Sequence, residues 1–264
     1  MTDGCVHGAI NFDDAAAYER FMGRASRAAG ALFLDWVAPA TRARWLEVGC
    51  GTGAFTQLVS ERCRPATIVA VDPSAAQIAF ARDRLPDVAF HVAAAEALPW
   101  PQASYDFVVS ALTINFFSDR VAAVREMRRV SAAGATIAGY VWDFAAQRTP
   151  HAPVVRALRH LGVAAPSPPG GEECALAALH SLFARAALTA IEITALDIEV
   201  SFPDFAAFWT AQTPSFSPTT RLIARLEAGQ RLRLKDMLRA ELAIGTDGKI
   251  AYAARVHAVK ARVP

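Results

Sequence analysis

The fold is decided at Leu46-Glu47-Val48-Gly49-Cys50-Gly51-Thr52-Gly53, in a chain of 264 residues. An apolar run leads into these alternating glycines, and a helix-compatible run starts directly after them, at Ala54. Glycine tolerates positive φ and lets a ligand approach the backbone, so a strand, a glycine-rich turn and a helix predict a ligand cradle. Unpaired N–H groups at the start of the helix would point at that ligand.

The acidic residues around this turn indicate which ligand it binds. Gly49, Gly51 and Ala54 fit the dinucleotide pattern weakly, and the carboxylate of Glu47 at the mouth of the turn would repel a pyrophosphate. It would suit a ligand that carries an ammonium group. Asp72 ends the next apolar run, roughly 20 residues past the glycines, where an acid can accept hydrogen bonds from ribose hydroxyls. A ribose and a positive charge without a phosphate suggest S-adenosylmethionine.

With these residues the chain resembles the class I S-adenosylmethionine-dependent methyltransferases, in particular the type 11 or ubiquinone-biosynthesis-like group. Five segments carry the resemblance, in the family's order, between residues 18 and 143. They are Tyr18-Glu19-Arg20-Phe21-Met22-Gly23-Arg24-Ala25-Ser26-Arg27; the glycine turn at 46–53; Val71-Asp72-Pro73-Ser74; Ala94-Ala95-Glu96-Ala97-Leu98-Pro99-Trp100 with Tyr105-Asp106-Phe107-Val108-Val109; and Glu126-Met127-Arg128-Arg129-Val130 with 134–143.

The resemblance implies an α/β fold with a doubly wound, mostly parallel, seven-stranded sheet, of the Rossmann-like methyltransferase type with an inserted helical cap. It also implies the residues that contact S-adenosylmethionine. These are Tyr18, Arg24, Glu47, Gly49, Cys50, Gly51, Gly53, Asp72, Pro73, Ser74, Gln77, Ala95, Glu96, Ser110, Ala111 and Leu112. Ala94 replaces the aspartate that the family usually has in its adenine loop, so Glu96 is the substitute acceptor or the acceptor is missing.

Three residues are weaker candidates for catalysis. Asn115 stands where relatives carry a polar residue that faces the transferred methyl, while Trp142 and Asp143 follow the fifth strand of the predicted sheet. A single carboxylate is a poor basis for assigning a general base, so the catalytic residues and the acceptor atom stay open. Tyr18 and Arg24 are expected to close over the methionine end of the cofactor.

The pattern along the chain predicts one methyltransferase domain, 1–264. It divides this domain into N-terminal helices at 1–41, a cofactor-binding core at 42–143, substrate-cap insertions at 144–190 and 203–247, and last strands at 191–202 and 250–260. Strands at 44–48, 67–71, 88–92, 105–110 and 135–141 alternate with helices, which indicates a parallel sheet. A long helix is expected at 219–242, and aromatic residues cluster within 202–216.

Composition excludes several classes of function. The net charge of +2 gives no bulk attraction for nucleic acid, and no apolar run is long enough to span a membrane. The four cysteines lack metal-site or disulfide spacing, so we expect no metal and a reducing, cytoplasmic compartment. The prediction is therefore an enzyme that methylates a small molecule, of unknown oligomeric state. A non-catalytic S-adenosylmethionine-binding protein, or a nicotinamide-dependent reductase, is the alternative.

Overall fold

A computed structural model describes residues 15–166, 168–214 and 217–264, and for 15–21 it describes the backbone alone. In this part of the chain seven strands form a single sheet. The elements, in chain order, are α1 (Ala15–Val37), β1 (Arg44–Val48), α2 (Ala54–Cys63), β2 (Thr67–Asp72), α3 (Ala75–Arg84), β3 (Ala89–Val92), β4 (Tyr105–Ala111), a 3₁₀ turn (Ile114–Phe116), α4 (Arg120–Val130), β5 (Ser131–Trp142), α5 (Ala152–His160), a second 3₁₀ turn (Glu172–Cys174), α6 (Leu176–Arg185), β6 (Thr189–Phe202), α7 (Phe205–Gln212), α8 (Pro218–Arg225), α9 (Ala228–Glu241) and β7 (Ile250–Arg262).

The strand order of the sheet is β3-β2-β1-β4-β5-β7-β6. The first five strands of this order pair in parallel, and β7 runs antiparallel to β5. The predicted mostly parallel sheet of seven strands is confirmed. Chain order reverses between β1 and β4, and ligands of such sheets bind at this switch point, beyond the carboxyl ends of the strands.

The central strands form because their side chains are apolar on both faces. Leu46 and Val48 of β1, Val108 of β4 and Ile137 of β5 are all less than 2% exposed. Strands that helices cover on both sides of a parallel sheet read as continuous hydrophobic runs, as these do. Their burial fixes the positions of the polar residues that follow each strand end.

The chain separates into two compact units. The larger unit consists of Ala25–Thr149, Pro169–Ile198 and Ala254–Pro264, and its main core includes Leu46, Val108 and Ile137. The smaller unit contains Pro150–Pro168 and Glu199–Ala253, together with residues 15–24, and has a separate core. That core is built from Leu158, Phe208, Ile223, Leu234 and Leu238, with their neighbours. The predicted division into cofactor core and substrate cap stays a prediction.

The expected helix at 219–242 is wrong in one respect, because two helices occupy this range. Leu226, after α8, is extended at φ −66° and ψ 147°. Glu227 then caps α9 in a capping box with Gln230. The cap satisfies N–H groups at the start of α9, which stabilises a new helix start inside the amphipathic pattern. α7 likewise begins after a cap, since Asp204 accepts a hydrogen bond from the Ala207 amide at 2.7 Å.

Candidate cofactor and acceptor site

The turn after β1 has the left-handed backbone that its glycines predict. φ is +82° at Gly49, +52° at Gly51 and +77° at Gly53, which caps α2. The amides of Gly49 and Cys50 donate to the carbonyl of Val71 at 2.8 and 2.9 Å, so the turn is fixed to the end of β2. Side chains rarely tolerate such φ values, and the three glycines keep the turn unstrained.

The three glycines of the turn differ in the space around them. A Cβ at Gly49 would lie 2.5 Å from the Thr113 hydroxyl oxygen, and one at Gly53 would lie 3.3 Å from the Phe90 ring. A Cβ at Gly51 would meet no atom within 4 Å. Gly49 and Gly53 are therefore small because protein packs against them, whereas Gly51 opens onto space in which a ligand can approach the backbone.

Asp72 lies beside this open position. Its carboxylate accepts hydrogen bonds from the Gly51 amide at 3.0 Å and from the Ser74 amide at 2.9 Å, one on each oxygen. Burial raises the pKa of Asp72, although both amide donors lower it. A carboxylate oxygen has two lone pairs, so each oxygen can accept a further hydrogen bond from a ribose hydroxyl. The pair Gly51 and Asp72 fits the adenosine part of S-adenosylmethionine.

Glu47 is held inside the protein beneath the turn. It is 1% exposed, and its Oε2 accepts a hydrogen bond from the Thr56 hydroxyl at 2.5 Å. Burial raises the pKa of Glu47 to about 8. Thr56 belongs to the first turn of α2, so this contact fixes the helix start to the end of β1. Glu47 thus positions the glycine turn from below, and its expected contact with an ammonium group of the ligand stays a prediction.

The predicted adenine loop is tied to the start of α4. Glu96 Oε1 accepts hydrogen bonds from the Ser118 and Asp119 amides at 2.9 and 3.1 Å. Ala95 is 6% exposed and packs in the main core, whereas Ala94 is exposed. Glu96 thus has a structural role, and its role as an adenine acceptor stays a prediction.

The residues after β4 form a second tight turn at the switch point. Ser110 is fully buried, and its hydroxyl lies 2.6 Å from that of Thr113, which donates to the Val48 carbonyl. Leu112 has φ +61°, and its amide donates to the Tyr140 carbonyl. Ala111 is 8% exposed. This turn packs against Gly49 and so supports the glycine turn from the β4 side.

The three weaker candidates lie at the ends of β4 and β5. Asn115, 2% exposed, donates from Nδ2 to the Pro169 carbonyl at 3.2 Å. Trp142 is 5% exposed, at the last position of β5. Asp143, 3% exposed, accepts a hydrogen bond from the Ala146 amide at 3.0 Å, and its other oxygen lies 3.5 Å from His257 Nε2. These partners give Asn115 and Asp143 positioning roles.

The other predicted contacts are placed as follows. Pro73 is exposed, and the Ser74 hydroxyl caps α3 by accepting from the Gln77 amide at 3.3 Å. Cys50 is buried, which raises the pKa of its thiol. Arg24 is exposed on α1, and the side chain of Tyr18 lies outside the described residues. The structure therefore brings the glycine turn, Asp72, Ser74 and the β4 turn together, while closure by α1 stays a prediction.

His257 is the residue that sequence reasoning missed. It lies on β7, is 9% exposed, and joins Asp143 to the carbonyl of Cys174. Its sequence signal is a polar residue among Val256, Ala258 and Val259, all buried in the strand. A buried polar group needs partners, and this requirement distinguishes His257 from a surface histidine.

Aromatic side chains of the smaller unit pack mainly against one another. Phe208 is fully buried, with Phe202 at 5.4 Å and Phe205 at 5.8 Å between ring centroids. Trp209 is partly buried, stacks on Phe205 and carries the Lys235 ammonium 4.8 Å above its ring. Phe216 lies outside the described residues. These contacts favour a core role for the described aromatics.

The part of the chain that the structure describes offers neither a metal centre nor a membrane-spanning helix. Within 15–166, 168–214 and 217–264, no group of three or more His, Cys, Asp or Glu side chains could hold a metal ion. Over the same ranges, every helix is too short or too polar to cross a membrane. The candidate site consists of the glycine turn, the acids Glu47 and Asp72, and the buried polar contacts around them.

A glycine turn at the switch point of this sheet, with an acid after the neighbouring strand, defines a Rossmann-like nucleotide-binding protein. Residues 46–138 match the model of the type 11 methyltransferase domain. This part of the chain is a domain of the type 11 group of class I S-adenosylmethionine-dependent methyltransferases, enzymes whose cofactor is S-adenosylmethionine.

Named relatives match just under half of the chain. The biotin biosynthesis bifunctional protein BioHC of Cellvibrio japonicus is 36% identical over 124 residues, 46% of this chain and 24% of that protein. The trans-aconitate 2-methyltransferase of Acidovorax ebreus is 31% identical over 126 residues, 47% of this chain and 48% of that protein. The chain thus spans less than half the length of these curated relatives.

The likeness to solved structures extends further along the chain. An S-adenosylmethionine-dependent methyltransferase of Thermotoga maritima aligns with 97% of this chain and 98% of its own, with a TM-score of 0.54 and 18% identity. At this identity the likeness concerns the fold.

Proposed function

We propose that the chain transfers the methyl group of S-adenosylmethionine to a small-molecule acceptor, in line with the S–CH₃ bond. The observation that carries this proposal is the open backbone of Gly51 beside the Asp72 carboxylate, 3.0 Å from the Gly51 amide. A matched relative is named for trans-aconitate, which is a small molecule. Buried free cysteines at Cys50, Cys63 and Cys174 support a cytoplasmic location.

The proposed reaction needs little catalysis by the acidic side chains of the protein. The bound cofactor supplies an activated methyl group. The glycine turn and Asp72 hold its adenosine part, and orientation in a site that excludes water provides much of the acceleration. Asp143 and Asn115 are engaged with Ala146, His257 and Pro169, so they shape the site by holding backbone in place.

The test combines binding with turnover. Calorimetry should show binding of S-adenosylmethionine and S-adenosylhomocysteine, with no binding of NADH. Purified protein is then incubated with S-adenosylmethionine and a panel of small carboxylic acids, amines and phenols, and S-adenosylhomocysteine formation is followed. Binding with no turnover across the panel would favour the non-catalytic alternative, and NADH binding would favour the reductase.

Replacing Asp72 tests the carboxylate that this proposal depends on. Asp72→Ala removes the ribose acceptor and the contacts to the Gly51 and Ser74 amides. A charge-assisted hydrogen bond contributes about 1.5–3 kcal/mol, so affinity for S-adenosylhomocysteine should fall at least about tenfold. Asp106→Ala, which removes an exposed pair with Arg44, is the control and should bind normally. Unchanged affinity in folded Asp72→Ala protein would remove Asp72 from the site.

A further inference from the structure

A cluster of polar contacts fixes residues 169–174, which we call the wall segment, to the turn after β4. Asn115 Nδ2 donates to the Pro169 carbonyl at 3.2 Å, and Arg120 forms an ion pair with Glu173. Arg120 also donates to the Asn115 carbonyl at 3.1 Å. A side chain at Gly170 would overlap the Arg120 guanidinium, so this glycine allows the close approach.

The other end of the wall segment is tied to β5 and β7. His257 Nδ1 lies 2.9 Å from the Cys174 carbonyl oxygen, and His257 Nε2 lies 3.5 Å from Asp143 Oδ2. The Cys174 thiol donates to the Gly170 carbonyl at 3.2 Å. A continuous set of contacts therefore joins Asp143, after β5, to Asn115, after β4.

The orientation of the His257 ring follows from its partners. A carbonyl oxygen only accepts, so His257 Nδ1 carries the hydrogen that reaches Cys174. The other nitrogen, Nε2, faces Asp143 Oδ2 at 3.5 Å. His257 is thus fixed in orientation from both sides. Removing its ring leaves a buried carboxyl and a buried carbonyl without their partner.

The place of the cluster in the sheet separates it from the glycine turn and Asp72, although the predicted cofactor contacts Ser110, Ala111 and Leu112 also follow β4. The glycine turn and Asp72 follow β1 and β2, whereas the cluster follows β4 and β5 and includes β7. Ligands of this fold lie beyond the carboxyl ends of the strands. The cluster therefore lies at the β4 and β5 side of this edge of the sheet, away from the glycine turn and Asp72.

We infer that His257 is a positioning residue, which together with Asp143 holds the wall segment as one fixed side of the acceptor site. The inference rests on the proposed function for the acceptor, and on the contacts above for the wall. His257 acts through the Cys174 carbonyl, 2.9 Å from its Nδ1. Its loss should loosen the wall segment and leave cofactor binding intact.

Cys174 provides a direct reporter of this segment. Its thiol is 2% exposed and lies within the wall segment, so reaction with a thiol reagent requires local opening. The rate of labelling at Cys174, resolved from Cys50 and Cys63 by peptide mass spectrometry, measures that opening. Affinity for S-adenosylhomocysteine, measured by calorimetry on the same proteins, reports the cofactor half.

The variants separate the two contacts of His257. His257→Phe removes both contacts and should speed labelling of Cys174 by at least about tenfold. His257→Asn keeps an N–H close to the Nδ1 position, so it should restore slow labelling, whereas His257→Gln should restore it less. His180→Phe changes an exposed histidine of α6 and is the matched control. Affinity for S-adenosylhomocysteine should stay within about threefold of the wild-type value in all of them.

Equal labelling of Cys174 in wild-type and His257→Phe protein would overturn the inference, as would an equal loss of cofactor affinity in His257→Phe and Asp72→Ala. If His257→Phe does not fold, the labelling rate of Cys174 is compared among Asp143→Asn, His257→Asn and His257→Gln instead. Faster labelling in His257→Asn than in His257→Gln would then overturn it. If wild-type protein does not bind S-adenosylhomocysteine, the proposed function fails separately, because Cys174 labelling does not use the cofactor.

Discussion

Gly51 differs from Gly49 and Gly53 because a Cβ at its position would meet no protein atom within 4 Å. Gly51→Val should abolish binding of S-adenosylhomocysteine by blocking approach to the backbone. The matched control is Gly134→Val, since Gly134 also has positive φ, +75°, and also has open space around its Cβ position. Both variants carry similar backbone strain, so their melting temperatures should fall alike, and only Gly51→Val should lose calorimetric binding. Normal binding by Gly51→Val would contradict the glycine-turn argument.

Glu47 should make stability depend on pH. Burial raises its pKa from 4.5 to about 8. The contribution of protonated Glu47 to the free energy of unfolding is therefore complete below pH 4.5 and is lost as pH rises towards 8, because the unfolded chain releases the proton first. Within that window the loss is about 1.4 kcal/mol per pH unit. Urea unfolding from pH 5 to pH 8 should show wild-type stability falling relative to Glu47→Gln. A constant difference between the two proteins would show that Glu47 does not hold a proton in the folded state.

The candidate residues that could be predicted are those with a local signal. Gly51 and Asp72 can be predicted because each is recognised from its own neighbours in the sequence. Gly51 lies in a glycine turn directly after a strand, and Asp72 ends the next apolar run. His257 could not be predicted from the sequence because its partners, Asp143 and Cys174, are distant in sequence. The three residues meet only when β7 pairs with β5. Such partnerships come from packing and leave only a buried polar residue as their signal.

At the scale of elements, β1 has the bounds that its apolar run predicts, 44–48, because a buried parallel strand is apolar on both faces. β5 was expected at 135–141 and is longer, since Ser131 already pairs with Tyr105 across a register shift. The break between α8 and α9 also escaped prediction. A capping glutamate looks like any other polar position of an amphipathic helix until the backbone is known.

The cofactor should order α1 if Tyr18 and Arg24 close over it, as the family resemblance implies. Hydrogen exchange of residues 13–30 should slow when S-adenosylhomocysteine is added, because closed amides exchange only through local opening. The control is α6, Leu176–Arg185, which carries no predicted cofactor contact and should exchange at an unchanged rate. Equal behaviour of the two helices would leave α1 with a structural role alone.

At the scale of the whole molecule, acceptor specificity is expected in the predicted cap insertions, 144–190 and 203–247, and at the end of β5. Trp142→Ala and Trp209→Ala should then raise the KM for the best acceptor of the panel and leave cofactor affinity nearly unchanged. If the aromatics serve only as a core, both variants should mainly lower the melting temperature. Trp209→Ala protein that melts and turns over like wild type would contradict both views.

Phe208→Ala is the stability control for this comparison. Phe208 is fully buried, so truncation should cost about 3–5 kcal/mol of unfolding free energy. Trp209 is only partly buried, and a smaller loss is expected from it. Unfolding curves of Phe208→Ala and Trp209→Ala therefore show how much of any change in KM reflects a destabilised fold.

The strand order also governs how the sheet can assemble during folding. β7, the last strand in sequence, lies between β5 and β6, so β6 cannot join the sheet until β7 is in place. Pairing of distant segments is slow because the chain must first close a long loop. Until then β6 and the outer side of β5 are unpaired edges, which other chains can extend. Yield on refolding should therefore fall as protein concentration rises.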